Sequence, residues 1–284
     1  MTMKKLLATI CAVGLLMTGC GGEQTADANS QGRIVKLGMI THLNASEKQM
    51  EEYLFKVQEK TYAKVMNHVP VFYDSLKLMQ LAVESGNADE LSTYKCVADY
   101  LIANNDKFEL VDNDAISKLT DSFCLAVRAE DKALKADLDK AVNEMKSDGS
   151  LNKLIKEYIT DVDKGKAPPK VEIPKIDGAD TIKVGVTGDL PPLDLILPDN
   201  SPAGFNTALL AEIAKRLNKN IELVQIESGA RAAALNADLI DVVFWAIVPL
   251  GKEIPSDIDK PEGLELSAPY FKDDVAVVKL KENK

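Results

Sequence analysis

Few side chains in this 284-residue sequence are equipped for bond-making chemistry. There are two histidines, His42 and His68, and four cysteines, Cys11, Cys20, Cys96 and Cys124. Their intervals fit no zinc pattern, and two histidines are too few for a His-rich metal centre. Acids are abundant, yet nothing sets a pair such as Asp189 and Glu253 as an acid–base couple. The sequence holds no Gly-rich phosphate loop and no nucleophile elbow. What remains is a set of polar and aromatic residues around the ends of apolar runs. They are Thr41, His42 and Asn44; Thr93 and Tyr94; Thr187 and Asp189; Ser228 and Arg231; and Trp245 with Ala246. Such groups hydrogen-bond or stack on a small molecule. Arg231 can grip a carboxylate through two parallel bonds, and Trp245, the one tryptophan, offers a ring face and an N–H donor. Each has a plainer reading too. Trp245 suits a core, Arg231 a surface ion pair, His42 and Asn44 a turn, and Asp189 a loop cap.

These residues need a frame. Ile34–Ile40, Val69–Tyr73 and Ala88–Ser92 read as strands. Helices follow them: one to about Met66 after Ala45 and Ser46, then Leu76–Glu84 capped by Asp74 and Ser75, then Tyr94–Ala103. Strand–helix alternation predicts a parallel sheet with right-handed crossovers. Ser122–Arg128 is a further strand, and Glu130–Met145 and Leu151–Ile159 are helices. The Pro- and Lys-rich stretch from 163 to 180 has no helical period and reads as a connector. The alternation then resumes. Thr181–Val186, Ile221–Ile226, Ile240–Trp245 and Ala276–Leu280 are strands, and Ala208–Leu217 and Gly229–Asn236 are helices. In open α/β sheets ligands meet the carboxyl ends of strands, which is why the residues above are the expected ligand-binding set.

Composition narrows the partner. The formal charge is −10. Residues 1–19 contain Lys4, Lys5 and no acid, so without them it is −12. That balance argues against nucleic acid, whose phosphates require clustered Lys and Arg. The two lysines precede an apolar run, Leu6–Met17, too short to span a bilayer and typical of a secretory signal. Leu16–Cys20 then resembles the lipobox of bacterial lipoproteins. The resemblance implies cleavage before Cys20, a lipid on its thiol, and a membrane anchor outside the cytoplasm. Residues 20–32 read as a tether. Export permits a Cys96–Cys124 disulfide, and two free buried thiols are equally compatible with the sequence.

The second half resembles the first lobe of bacterial solute-binding protein family 3, the binding components of polar amino-acid ABC importers. The resemblance rests on Ile182–Leu193, Ala203–Leu217, Ala234–Leu235 with Ile240–Val243, and Leu266–Phe271. The first half looks like that family's second lobe, through Val35–Met39 and Ala82–Asp89. Cys124–Leu134 and Met145–Leu151 look like its returning C-terminal segment. The resemblance implies an α/β, two-lobed periplasmic-binding-protein-like fold of type II, each lobe a mostly parallel sheet flanked by helices. The order of the halves is inverted, which implies a circular permutation. The expected division is a signal peptide at 1–19, the tether, a lobe II-like domain at 33–121, and a return segment at 122–162. The connector at 163–180 and a lobe I-like domain at 181–284 complete it.

The implied function is capture of a small polar solute, an amino acid or a relative, in a cleft between lobes. Delivery would be to the permease of an ABC importer, by a monomer without cofactor, metal or catalytic residue. Two other readings share the fold: a ligand-sensing lipoprotein and a dehydratase-like enzyme. The sequence departs from the family where amino-acid binders place an Arg and an Asp. Glu253 falls near the first position and Tyr94 at the second, so an α-amino acid does not follow from the resemblance.

Overall fold

A short apolar strand, β1 (Val35–Ile40), is the first element described in the computed structural model. The structure describes residues 34–40, 47–61, 68–111, 119–247 and 263–282, without the side chains of 47, 56–61 and 245–247. Helix α1 (Glu47–Thr61) leads to β2 (His68–Tyr73), then α2 (Leu76–Glu84), β3 (Glu90–Tyr94) and α3 (Lys95–Asn104). Ser75 caps α2, its hydroxyl accepting the Leu78 amide at 3.2 Å. This satisfies one of the donors a helix start leaves open. Strand β1 lies between β2 and β3 and runs parallel to both, as the alternation predicts.

Beyond β4 (Phe108–Leu110), β5 runs from Thr120 to Arg128 and leads into α4 (Lys132–Ser147) and α5 (Ser150–Ile155). Helix α4 buries Leu138, Ala141, Val142 and Met145, the 3–4 spacing of a one-faced helix. The predicted helix at 151–159 is divided, its second part being a π-helical turn at Lys156–Thr160. The connector is not free chain. Val171 N–H donates to the Pro202 carbonyl at 2.9 Å, and Ile176 N–H donates to Asn220 Oδ1 at 2.8 Å.

The remaining strands are β6 (Thr181–Val186), β7 (Asp189–Leu190), β8 (Asp194–Ile196), β9 (Pro202–Ala203), β10 (Asn220–Gln225), β11 (Val242–Ile247), β12 (Leu264–Leu266) and β13 (Phe271–Leu280). Helices α6 (Phe205–Leu217) and α7 (Arg231–Asn236) accompany them, with a 3₁₀ turn at Ser228–Ala230 before α7. Strands β7–β9 form a small antiparallel sheet between β6 and α6. Two- and three-residue strands leave no periodicity to read; their partners hold them.

The main sheet has the order β10-β6-β11-β5-β13-β3-β1-β2. It is mixed rather than mostly parallel. β5 lies antiparallel to β11, β12 and β13, and β13 lies antiparallel to β3 and β4. Strand β13 changes partners along its length. Phe271–Asp274 pair with β5, and Val275–Lys279 pair with β3. Arg128 fastens the far end of β5, donating to the carbonyls of Leu235 and Ile240 and pairing with Asp131 and Asp241. Cys96 and Cys124 are both buried free thiols.

Candidate functional site

The strand ends converge on a cavity of about 190 Å³. One wall comes from β1, α1 and β3, through Leu37, Met50, Tyr53, Leu54, Thr93 and Tyr94 among others. The facing wall comes from β6, the β7–β8 turn, Ser228, Arg231 and Phe244. Strands β5 and β13 floor it with Asp121, Phe123 and Val275. The closing aromatic sequence Tyr270–Phe271 packs beneath. Phe123 meets Phe271 at 5.3 Å between ring centres, and Phe205 meets Phe271 at 5.2 Å.

Six predicted residues line this cavity: Thr93, Tyr94, Thr187, Asp189, Ser228 and Arg231. Thr93 and Tyr94 belong to β3 itself rather than following it, because pairing with Ala276 and Val275 of β13 extends that strand. Tyr94 meets Phe123 edge-on at 4.5 Å. Trp245 and Ala246 likewise do not follow their strand. They sit within β11, opposite Cys124 and Phe123, because β5 prolongs the ladder. Thr41, His42, Asn44, Glu253 and Cys20 lie outside the described residues.

Arg231 is committed to the protein. It donates to the Ser228 carbonyl at 3.1 Å, to Ser228 Oγ at 2.9 Å and to the Phe244 carbonyl at 3.1 Å. Those bonds staple the start of α7 to β11. Asp194 is similarly tied, accepting from Gly188 N–H at 2.8 Å and Thr187 Oγ1 at 3.3 Å. Burial still lifts its carboxyl to about 6. Asp189 reaches the backbone N–H groups of Leu76 and Lys77 in the first turn of α2, and burial outweighs those bonds so that its carboxyl titrates above the ordinary range.

Two groups escape sequence reasoning. Asp121 on β5 is 5% exposed, and its Oδ1 has no hydrogen-bond partner. Burial, followed by repulsion from Asp273 directly opposite on β13, raises its carboxyl to about 7. Tyr53 on α1 is also 5% exposed with an unpartnered hydroxyl. Burial and then the Asp121 charge hold its phenol protonated well above the usual range. Asp121 stands one residue before the expected strand start at Ser122, and no local pattern marks it as internal. Tyr53 carries the helical spacing of a core residue, with Met50 and Leu54 beside it.

Among the described residues no group of three or more His, Cys, Asp or Glu side chains is placed to hold a metal. No helix among them is long and apolar enough to cross a membrane.

Comparison with curated proteins returns no match. Solved structures similar to this chain include a ligand-binding component of an ABC-type import system from Staphylococcus aureus with zinc bound. It is 11% identical, with a TM-score of 0.44, covering 87% of this chain and 66% of that one. The GluR0 ligand-binding core from Nostoc punctiforme in complex with L-glutamate is 8% identical, with a TM-score of 0.39 and coverage of 87% and 84%. The OxyR2 E204G regulatory domain from Vibrio vulnificus is 12% identical, with a TM-score of 0.41 and coverage of 91% and 92%. In sequence, residues 182–284 match the family of bacterial extracellular solute-binding proteins, family 3.

Proposed function

We propose that this chain is a solute-binding protein that closes around one small molecule and hands it to an ABC importer from outside the cytoplasm. The observation that carries this reading is the cavity. Residues from before 122 and from after 181 line the same space, and the family match covers the later group. A site divided between two halves suits capture by closure.

The same reading makes the molecule two-lobed, with β1–β3 in one lobe, β6, β10 and β11 in the other, and β5 and β13 as the connections. The change of partners along β13 supports it. It also makes the chain a circular permutant, supported by the family match lying in the C-terminal part. Cys20 carries the lipid anchor, a reading that rests on the Leu16–Cys20 pattern alone.

A thermal-unfolding screen of the full chain against amino acids, organic acids, amines and nucleobases tests the binding role. A ligand at a hundred times its Kd stabilises by about 2.7 kcal/mol, so at least one compound raises the melting point by several degrees. A flat result across the panel contradicts solute capture. Cys20→Ser moves the protein from the membrane to the soluble extracellular fraction; unchanged membrane association contradicts the anchor.

A further inference from the structure

We propose that the cavity is selective for a carboxylate-free organic amine with an apolar body, its cationic head seated on Asp121 and Tyr53. This assignment rests on the solute-binding reading and names the class of solute. Three observations converge on it.

The first is the set of orphaned atoms in the cavity lining, Asp121 Oδ1, the Tyr53 hydroxyl and Asp189 Oδ2, of which the first two stand together. Asp121 Oδ1 and the Tyr53 hydroxyl are both buried, both line the cavity, and neither has a hydrogen-bond partner among the described residues. A buried polar atom left unpaired costs about 1–3 kcal/mol, more if charged. A ligand N–H that reaches Asp121 repays that cost, and a primary ammonium has donors enough for both oxygens.

The second is the charge balance. The ionisable side chains lining the cavity among the described residues are Asp121, Asp189 and Asp194 against Arg231, with Tyr53 and Tyr94 as phenols. Three of the five Arg231 N–H donors go to Ser228 and Phe244, so its charge is partly spent within the protein. Asp273, paired with Asp121 across the ladder on β13, adds a further acid. An anionic group entering this space meets net repulsion, whereas a cation relieves it.

The third is the lining and its size. Leu37, Met50, Leu54, Leu119, Phe123 and Val275 surround the two polar groups with apolar surface. A cavity of about 190 Å³ exceeds the engineered ~150 Å³ apolar cavity that accepts benzene. The fit is therefore an amine on a ring or chain of about six to ten heavy atoms.

Calorimetric titration of the full chain tests this with phenethylamine, phenylalanine and 3-phenylpropionate, which share one apolar body and differ in charge. Phenethylamine is expected to bind at least tenfold more tightly than phenylalanine, and 3-phenylpropionate not measurably. Asp121→Asn is expected to weaken phenethylamine at least tenfold. Tyr53→Phe keeps the packing, should fold as the parent does, and is expected to weaken the amine about threefold to tenfold. Stronger binding of phenylalanine or phenylpropionate overturns the amine assignment while leaving solute capture standing. Amine binding unaffected by both substitutions overturns the Asp121–Tyr53 seat. If none of the three binds, the amine assignment falls; if the broader panel also gives nothing, solute capture falls with it.

Discussion

Asp121→Asn should stabilise the unliganded protein at pH 8 and leave it nearly unchanged at pH 4. The wild-type carboxyl titrates near 7 in the fold and at an ordinary 3.8 when unfolded. Below 3.8 both states are protonated and the group is neutral with respect to stability. Between 3.8 and 7 the folded state binds the extra proton, so stability falls as pH rises, and the full loss is reached above 7. At about 1.4 kcal/mol per pH unit the loss is roughly 4 kcal/mol. Partial relaxation around the ionised group brings it to about 2–4 kcal/mol. Asn never ionises and avoids the loss. For a chain of this size that corresponds to roughly 5–15 °C in melting temperature at pH 8. The assay is thermal unfolding of both proteins across pH 4–8, read as their difference, which cancels Asp194 and the other groups not coupled to Asp121. A constant difference, or a less stable variant at pH 8, would refute the claim that Asp121 is buried against Asp273.

Three further outcomes follow from the packing. Gly204 has φ +97°, and an added Cβ would stand 2.6 Å from the Pro192 carbonyl oxygen, so Gly204→Ala should cost about 3 kcal/mol in urea unfolding with an unchanged m value. Ser228 is fully buried, and Ser228→Ala removes the hydroxyl that accepts from the half-buried Arg231 Nη2; a loss of about 1 kcal/mol is expected, and a neutral result removes the staple from the account. In a Cys11→Ser, Cys20→Ser background, Cys96 and Cys124 should resist a thiol reagent until the protein unfolds. Burial raises both thiols, that of Cys124 to about 11; rapid labelling of the native protein would contradict it.

Much of the frame is legible in the sequence because it is local. Thr181–Val186 coincides with β6, and the apolar stripe of α4 lies on one face as its spacing implies. What is not legible depends on partners far along the chain. Lys272, Asp273 and Asp274 lie before the strand that the sequence places at Ala276. They are strand residues because Thr120–Ser122 of β5 pair with them. The same pairing draws Asp121 inside, and with it the least satisfied carboxylate of the cavity. Strand ends are likewise set by neighbours, so Trp245 and Thr93 lie within ladders that sequence alone ends sooner. The convergence of Thr187, Asp189, Ser228 and Arg231 was accessible from the rule that sites gather at strand carboxyl ends. The bonds that turn Arg231 inward were not.

The central claim is that both halves of the chain build one solute site. Hydrogen exchange with the strongest binder from the solute panel tests it most directly. Slower exchange on binding is predicted in 49–54 and 90–94 and, together with them, in 185–194 and 228–231. Protection confined to one of these groups, or lying elsewhere, would contradict the claim.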